Sequence, residues 1–381
     1  MTNKEEGFQI PKPIYFQIYK DIKKSIQQGT YKPGSKLPSE KEFAKKWNVS
    51  VITPRKALSM LRDEGLITRQ AGRGSFVREN ISSDAPLINK KPMIGVVFTD
   101  FDNSFGRGLL NGIEKGIEGK ANFLFRRSFG SPKKEEQIIK DFLELGIDAL
   151  IILPAHSTHL NHAILQLVID EFPLVLIDRY LKDVAAAAVG TKNISAAKKG
   201  TKYLFDAGHD NILVLSTPPA YAVVVEERIN GVLQAFQERD ISTQQLLIYH
   251  DITSTLPNAL NKESVTQDIN HIKEHIKNNP DKTAIFAIEY NIALLARLAI
   301  KDLGLNCPDD ISIICFDSPE YNIGDFSFTH LIQDQKSIGK LAVEKALKIL
   351  LSTSNEKQIT LLDAQLVEGE SIKKITTSNK L

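Results

Sequence analysis

Eight apolar runs of five or six residues recur between residues 93 and 316, and they constrain the fold more than any other feature of this sequence. They are MIGVVF (93–98), ANFLF (121–125), ALIIL (149–153), PLVLI (173–177), NILVLS (211–216), LLIYH (246–250), TAIFAI (283–288) and SIICF (312–316). The segments between them have the apolar spacing of helices, at 132–145, 192–207, 226–239, 264–278 and 290–304. Short apolar strands that alternate with helices are typical of a parallel sheet covered by helices on both faces. The fold class predicted for most of the chain is therefore α/β.

Eight strands are many for one sheet. The alternation of apolar runs and helical segments is interrupted after Arg179, where the chain continues into the small residues 185–189. We therefore predict two successive doubly wound parallel α/β subdomains. The predicted boundaries are 92–190 plus 318–348 for the first subdomain and 191–317 plus 349–381 for the second. Ligands of such sheets bind outside the carboxyl ends of the strands, so we expect a ligand cleft between the two subdomains.

Residues 37–76 have a different pattern, which is that of a helix, a turn, a second helix and a short hairpin. A capping box that begins at Ser39 marks the start of the first helix. The second helix begins where Ser50 or Thr53 can cap it, and Gly65 stops it. The N-terminal region is therefore predicted to be a winged helix-turn-helix.

The second of these helices has one apolar face and one polar face at helical spacing. Its apolar residues, which hold the domain together, are Ala57, Leu58 and Leu61. Its polar and basic residues, which fall largely outside that face, are Thr53, Arg55, Lys56, Ser59 and Arg62. Two short strands, 66–69 and 75–78, follow it, and the glycines between them permit a tight turn. This hairpin is predicted to be a wing with Arg73 at its tip.

The charge is divided unevenly along the chain. Residues 1–80 contain 16 Lys and Arg against 8 Asp and Glu, a net charge of +8, whereas the whole chain carries +2 and the remainder therefore −6. A basic segment on an acidic body is typical of a nucleic-acid-binding module. The N-terminus of a helix can bind phosphate, and an arginine can pair with the major-groove edge of guanine. Double-stranded DNA is thus the predicted partner of this region.

The segment from Ile14 to Val77 resembles the winged helix of the GntR family of bacterial transcription regulators. The resemblance is carried by an LPSE run, VS-x-x-T-x-R-x-AL, L-x-x-EGLI and the G-x-G-S-F-V wing. It implies a DNA-binding domain at residues 8–80, which a polar linker, 81–91, joins to the rest. The implied DNA contacts are Lys41, Ser50, Thr53, Arg55, Gly72 and Arg73, and the helix pattern adds Lys56. Val51 stands where the family usually has an arginine, so the resemblance does not imply the operator sequence.

Polar and aromatic residues recur near the ends of the predicted strands. They are Asp102, Asn103, Phe105, Asp178, Arg179, Arg228, Glu289, Tyr290, Asp317 and Gln333. A sugar site needs planar polar groups that bind adjacent hydroxyls and an aromatic ring that covers the apolar face of the sugar. The only tryptophan, Trp47, lies in the N-terminal domain, so the ring is expected from Phe105, Tyr180, Tyr221 or Phe316. An internal ion pair is the alternative for Asp178 and Arg179.

Residues 92–381 resemble the effector domain of the LacI family, which has the periplasmic sugar-binding-protein fold. The residues that carry the resemblance are IGVVFTDFDNSF (94–105), PLVLIDR (173–179), KKGTKYLFDAGHDNILVLS (198–216), ERINGVLQAF (227–236), TAIFAIE (283–289), CPDDISIICFD (307–317) and HLIQDQKSIGKLAVEKAL (330–347). The resemblance implies effector contacts at Phe105, Arg179, Arg228, Asp317 and Gln333, and the strand-end positions add Asp102 and Glu289. Glu289 and Tyr290 replace the usual Asn-Asp pair, so the identity of the ligand is not implied.

The pairing of these two domains in one chain resembles regulators of the arabinose-repressor type. They imply a cytoplasmic homodimer that binds a palindromic DNA operator, represses a carbohydrate-utilisation operon and responds to a monosaccharide or a derivative of one. No apolar run approaches the roughly 18 residues that span a bilayer, so no membrane partner is expected.

The alternative function is an α/β sugar-processing enzyme fused to a DNA-binding module. Gly106, Gly108 and Gly112 do not have the spacing of a dinucleotide fingerprint, and no metal-binding or nucleophile motif appears. The two cysteines, Cys307 and Cys315, fit no metal spacing and are expected to be reduced. We therefore predict no catalytic residue, no metal and no cofactor.

Overall fold

The computed structural model describes residues 14–70, 73–79, 91–156, 161–180, 184–219, 222–321, 324, 326–351 and 358–375. Several residues named above lie outside these ranges, namely Gly72, Tyr221 and all but the last residue of the predicted linker. The described residues form a winged helix and two α/β subdomains, with one six-stranded sheet in each subdomain.

The winged helix has three helices and a two-stranded hairpin. In chain order its elements are α1 (Ile14–Gln27), α2 (Glu40–Trp47), α3 (Ile52–Asp63), β1 (Ile67–Gln70) and β2 (Gly74–Val77). The predicted capping box at Ser39 is confirmed, and Asn48 ends α2 in the left-handed conformation. The prediction that Ser50 or Thr53 caps α3 is wrong, because Val51 occupies the cap position without a side-chain hydrogen bond.

The remaining elements alternate strand and helix over most of their length. They are β3 (Met93–Phe98), α4 (Arg107–Ile117), β4 (Asn122–Arg127), α5 (Pro132–Leu145), β5 (Ala149–Ile152), α6 (His162–Ile169), β6 (Leu174–Ile177), β7 (Ala187–Thr191), α7 (Asn193–Asp206), β8 (Ile212–Leu215), α8 (Val223–Glu238), β9 (Leu246–Tyr249), α9 (Lys262–Asn278), β10 (Ala284–Ala287), α10 (Tyr290–Asp302), β11 (Ser312–Phe316), β12 (Thr329–Ile332), α11 (Gln335–Leu350), β13 (Ile359–Leu362) and β14 (Gln365–Val367).

Both sheets are built mainly from parallel strands. The first sheet has the order β13-β7-β6-β5-β3-β4 and the second the order β14-β12-β11-β10-β8-β9. All eight strands predicted from apolar runs are present, and each pairs in parallel with its neighbours of that set. The central strands are buried along their whole length, which explains why they lack the alternating pattern of a half-exposed strand.

Two segments belong to a different subdomain from the one predicted. Strand β12 pairs with β11 in the second sheet, although residues 318–348 were assigned to the first subdomain. Strand β13 pairs with β7 in the first sheet, although residues 349–381 were assigned to the second. The chain thus crosses between the subdomains more often than apolar runs reveal, because β12 begins with the polar residues Thr329 and His330 and the edge strand β13 is partly exposed.

Helix α11 packs closely against α4 in the first subdomain. A Cβ atom on Gly112 would lie 2.1 Å from the carbonyl oxygen of Lys336, and one on Gly339 would lie 2.2 Å from that of Leu109. The two glycines therefore allow the helix backbones to touch. This contact fixes the position of α11 and therefore one end of the segment, including Gln333, that connects β12 of the second sheet to α11.

The carboxyl ends of the strands in both sheets point towards one cleft between the subdomains, as expected for doubly wound folds. Among the described residues, no helix combines the length and apolar character needed to cross a bilayer.

Candidate DNA-binding surface and ligand cleft

The start of α2, the start of α3 and the wing form a groove on the N-terminal domain. The groove is lined by residues that include Lys41, Val51, Arg55, Arg69 and Gly74. Glu40 organises its centre, because its carboxylate accepts a hydrogen bond from Arg55 Nε at 2.8 Å and also pairs with Arg69. The groove therefore presents two arginines in fixed positions, with side chains that remain about a quarter to a third exposed.

The other predicted DNA-binding residues are distributed differently. Arg73 is exposed and directly precedes β2 of the wing. Ser50 and Lys56, in contrast, face the first subdomain. Thr53 is buried, and its hydroxyl has no hydrogen-bond partner within the described ranges. The expectation that Lys56 and Ser59 are exposed is wrong, because each is only 7% exposed. The buried surface of α3 is thus wider than its apolar residues predict.

A cavity of about 710 Å³ lies between the two subdomains, which is a size typical of small-molecule sites. All seven residues predicted to contact an effector line it, namely Asp102, Phe105, Arg179, Arg228, Glu289, Asp317 and Gln333. They come from both subdomains and from segments far apart in the chain. The fold therefore brings together residues that the sequence indicates only one at a time.

Two aspartates occupy corresponding places in the two subdomains. Asp178 follows β6 and Asp317 follows β11, and both have a positive φ, 62° and 60°. This conformation is uncommon for a residue other than glycine, and it occurs preferentially at functional sites. Both side chains are buried, and burial raises the pKa of Asp178 and raises that of Asp317 to about 6. Asp317 is held by Gln333, whose Nε2 donates to Asp317 Oδ2 at 2.6 Å.

Two buried arginines lie beside these carboxylates. Arg228 donates from Nε to Asn193 Oδ1 at 2.9 Å and from Nη1 to the carbonyl of Ile288 at 2.6 Å, and its guanidinium lies 3.9 Å from the centre of the Phe316 ring. Phe316 thus supports an arginine rather than a ligand. Arg179 donates to two main-chain carbonyls, at 3.1 and 2.8 Å, and burial lowers its pKa. These contacts orient both guanidinium groups at the cavity wall.

Several buried polar atoms around the cavity have no hydrogen-bond partner within the described part of the chain. They are Asp178 Oδ1, Arg179 Nε, Ser254 Oγ, Thr255 Oγ1, Glu289 Oε1 and Gln333 Oε1. An unpaired buried polar atom costs about 1–3 kcal/mol, and native proteins contain few of them. Their concentration on one cavity indicates a site for a polar ligand that supplies the missing hydrogen bonds.

The sequence patterns missed part of the cavity wall. The loop after β9 contributes Ser254 and Thr255, and the loop after β3 contributes Asp100, which pairs with Arg127 at 3.0 Å. These residues also follow strands, so the strand-end criterion could have found them. Glu227 was missed as well, although it accepts hydrogen bonds from Tyr180 and Asn193 behind the cavity. Burial, followed by the charge of Asp178, raises the pKa of Glu227 to about 7.

At least two hydrogen bonds join the subdomains at the cleft, and one of them, from Asn258 Nδ2 to the carbonyl of Phe129, is 2.8 Å long. Asn291 Nδ2, on α10 of the second subdomain, donates to Asp102 Oδ2 at 2.6 Å in the loop after β3. The other oxygen of Asp102 accepts from the backbone N–H groups of Ser104 and Phe105. Asp102 therefore links the position of Phe105 to the relative position of the two subdomains.

Two family models match the chain. Residues 14–77 match the bacterial regulatory proteins of the gntR family, and residues 201–372 match the periplasmic binding protein-like domain. An arabinose metabolism transcriptional repressor from Geobacillus stearothermophilus is 25% identical over 355 residues, which cover 91% of this chain and 93% of the relative. The regulator GalS from Salmonella typhimurium is 28% identical over 81% of this chain and 88% of its own length.

Solved structures resemble the two α/β subdomains. The regulator CcpA of Lactococcus lactis has a TM-score of 0.64 at 21% identity, covering 74% of this chain and all of its own. A LacI family regulator from Enterococcus faecium with bound ribose has a TM-score of 0.61 at 21% identity, with the same coverage. The chain thus joins a gntR-type helix-turn-helix domain to a periplasmic binding protein-like domain of the LacI type.

Proposed function

We propose that this protein is a sequence-specific transcription regulator, a repressor of carbohydrate-utilisation genes, whose binding to DNA is controlled by a small sugar-like effector in the cleft. The observation that carries this proposal is the cluster of unpaired buried polar atoms in a chain that also carries a basic winged helix. The relatives named for arabinose metabolism and the neighbour with bound ribose support the same class of ligand.

The donor or acceptor character of the unpaired atoms favours a neutral polyol as the ligand. Asp178, Glu289 and Gln333 each offer an unpaired acceptor oxygen, whereas Arg179 Nε is an unpaired donor and Ser254 can both donate and accept. Sugar hydroxyls supply donors to such acceptors and also accept from arginine. A phosphate or carboxylate group brings further acceptors, so it would leave the acceptor oxygens of the protein unpaired.

The charge of the cavity wall leads to the same ligand class. Five carboxylates line it, from Asp100, Asp102, Asp178, Glu289 and Asp317, against three arginines, Arg127, Arg179 and Arg228. An anionic sugar would add a further negative charge to a site that already has an excess of them. We therefore infer that neutral monosaccharides bind and that their phosphates and uronates do not. Phe105 is the ring that we propose to cover the apolar face of the sugar.

A thermal-shift screen with matched pairs of ligands tests this proposal. Each neutral sugar is compared with its phosphate and its uronate, and a ligand present at one hundred times its dissociation constant should stabilise the protein by about 2.7 kcal/mol. We expect the shift from a neutral member alone and a change in operator affinity with the same sugar. Stabilisation by anionic sugars only would refute the neutral-polyol assignment, and the absence of any change in DNA binding would refute the regulatory role.

We also propose that the protein acts as a homodimer on a palindromic operator, because paired half-sites double the contacts of one winged helix. The surface that we propose for dimerisation is an apolar patch of the second subdomain. Its exposed residues are Leu260, Leu294 and Leu298, which lie at the rim of the cavity between the subdomains, the last two being four residues apart on α10. A second copy of this chain would remove these leucines from water.

Sedimentation analysis tests the dimer. Leu294→Asp with Leu298→Asp should shift the protein to the monomer, whereas Leu351→Asp, at an exposed leucine on the end of α11, should not. A double variant that sediments as the wild type does would exclude this surface.

A further inference from the structure

One side of α3 packs against the first α/β subdomain. Ile52 joins the apolar cluster of that subdomain, and Lys56 and Ser59, four and seven residues further along the helix, lie on the same side and are buried. The opposing surface is formed by the ends of α5 and α6 and includes Leu143 and Phe172. The contact therefore combines an apolar centre with buried polar groups, as interfaces between folded units do.

Two carboxylates of the first subdomain hold the polar groups of α3. Lys56 Nζ pairs with the side chain of Asp148 and lies 3.4 Å from its carbonyl oxygen, and the hydroxyl of Ser50 donates to Asp170. Asp148 also accepts from the backbone N–H of Met93 at 2.8 Å, which fixes its orientation. Both carboxylates therefore belong to rigid parts of the first subdomain.

Ser50 and Lys56 lie in the part of the winged helix that carries the predicted DNA contacts. Hydroxyl and ammonium groups there would meet phosphates in a DNA complex. The same groups cannot bind a carboxylate of the first subdomain and a phosphate of DNA at once. The carboxylates of Asp148 and Asp170 on this surface would also repel a DNA backbone placed along this side of α3.

We propose that the first subdomain holds the winged helix in a docked arrangement in which Asp148 and Asp170 take the place of DNA phosphates. Docking and operator binding then compete. Lys41 remains outside the contact, and Arg55 borders it but is held by Glu40 in the groove between α2, α3 and the wing. The docked arrangement thus blocks the phosphate contacts of Ser50 and Lys56 rather than the base contact expected of Arg55.

The docking surface and the ligand cleft lie at opposite ends of the same strands of the first sheet. Asp148 immediately precedes β5 and Met93 begins β3, whereas Leu153 and Thr99, just beyond the ends of the same two strands, line the cleft. The inference rests on the proposed DNA binding but not on the ligand, so it can be tested without any effector.

A reversible crosslink provides the test. Ser50→Cys with Asp170→Cys places two thiols where a hydrogen bond now joins the side chains. DNA binding is measured on a duplex selected by the reduced variant from a random-sequence pool. Oxidised wild-type protein is the control for effects of oxidation at the native thiols. Of these, Cys315 is buried and Cys307 is half-buried.

We expect the oxidised variant to bind its duplex on the order of a hundredfold more weakly than the reduced variant, within the usual range of coupling between sites. Reduction should restore the affinity. Failure of the crosslink to form would show that the docked arrangement is not populated, and a crosslinked protein with full affinity would show that docking does not compete. Either result overturns this inference. If the reduced variant and the wild type select no duplex, the proposed function fails instead.

Neutral substitutions give an independent measurement. Asp148→Asn with Asp170→Asn should tighten DNA binding about fivefold or more, because the docked arrangement loses its ion pair. Asp141→Asn is the matched control, since Asp141 lies on α5 with a surface partner, Arg126. Equal affinities of the double variant and the control would contradict the competition.

Discussion

The groove of the winged helix and the cleft between the subdomains both place arginines beside carboxylates, but the two sites differ in burial. In the groove, Glu40 serves two arginines that remain partly exposed to water. In the cleft, Arg228 and Asp317 are only 6% and 4% exposed. Exposed pairs contribute little to stability and can exchange partners, whereas buried charges are costly when a partner is removed. The first arrangement suits a phosphate surface and the second a small polar ligand.

The largest effect is expected from Arg228→Ala, because the substitution leaves the buried carboxylate of Asp317 without the positive charge that most offsets its burial. The free energy of unfolding should fall by about 3–5 kcal/mol, and the sugar-induced thermal shift should disappear. Urea denaturation measures the first effect. Arg239→Ala, at an exposed ion pair just after α8, is the control and should cost less than 1 kcal/mol, roughly the upper end for exposed pairs. An equal loss of unfolding free energy in the two variants would contradict the proposed difference between buried and exposed charges.

The next effect is expected from Arg55→Ala in the groove. Operator affinity should fall by about 1–3 kcal/mol, and the preference at one base position should relax. Binding to a panel of single-base operator variants measures both. Arg62→Ala, two helical turns further along α3 where it contacts Ser59 and Asp63, should leave base preference intact. An unchanged base preference in the Arg55 variant would show that this arginine does not read the operator.

The two regions should also respond to pH with opposite signs. Burial raises the pKa of Asp317 to about 6 and that of Glu227 to about 7 in the folded protein, above their unfolded values, so the folded state binds more protons in this range. Stability should therefore fall as pH rises from about 4 to 7, by about 1.4 kcal/mol per pH unit for each proton difference. Asp317→Asn should flatten this slope in denaturation curves. An unaltered slope would exclude Asp317 as a source of it.

The winged helix provides the opposite case. The backbone and side chain of Ser39 lower the pKa of Glu42 in the capping box, so its contribution is present above the unfolded pKa and is lost as pH falls through the folded value. Glu42→Gln should remove this acid sensitivity from the N-terminal domain without affecting the cleft.

The smallest effect is expected from Arg73→Ala in the wing. The basic segment of +8 should make DNA affinity fall steeply with salt, through release of counterions. Loss of one phosphate contact should reduce the slope of log affinity against log salt by about one, with little change in base preference. A salt titration of both proteins measures the difference. Identical slopes would place Arg73 away from the DNA backbone.

Much of the fold could be predicted from the sequence because its signals are local. Apolar runs indicated eight of the eleven described strands that pair in parallel, though not the buried β7, and the capping box fixed the start of α2. The placement of β12 and β13 could not be predicted, since β13 is a partly exposed edge strand and the pairing of both strands depends on the path of α11 between the subdomains. The seven predicted cleft residues could be found because the carboxyl ends of parallel strands meet at one edge of each sheet.

The sequence by itself determined the classes of domain, the uneven charge and the residue types at the strand ends, because capping, periodicity and composition act over a few neighbouring residues. Only the tertiary structure decided which polar atoms lack partners and which basic side chains are exposed. Lys56 shows the difference, because its helical position predicts exposure, whereas Asp148, 92 residues further along the chain, pairs with it in a buried contact. Burial and pairing depend on groups that are distant in sequence, and their energies are set by the solvent that those groups exclude.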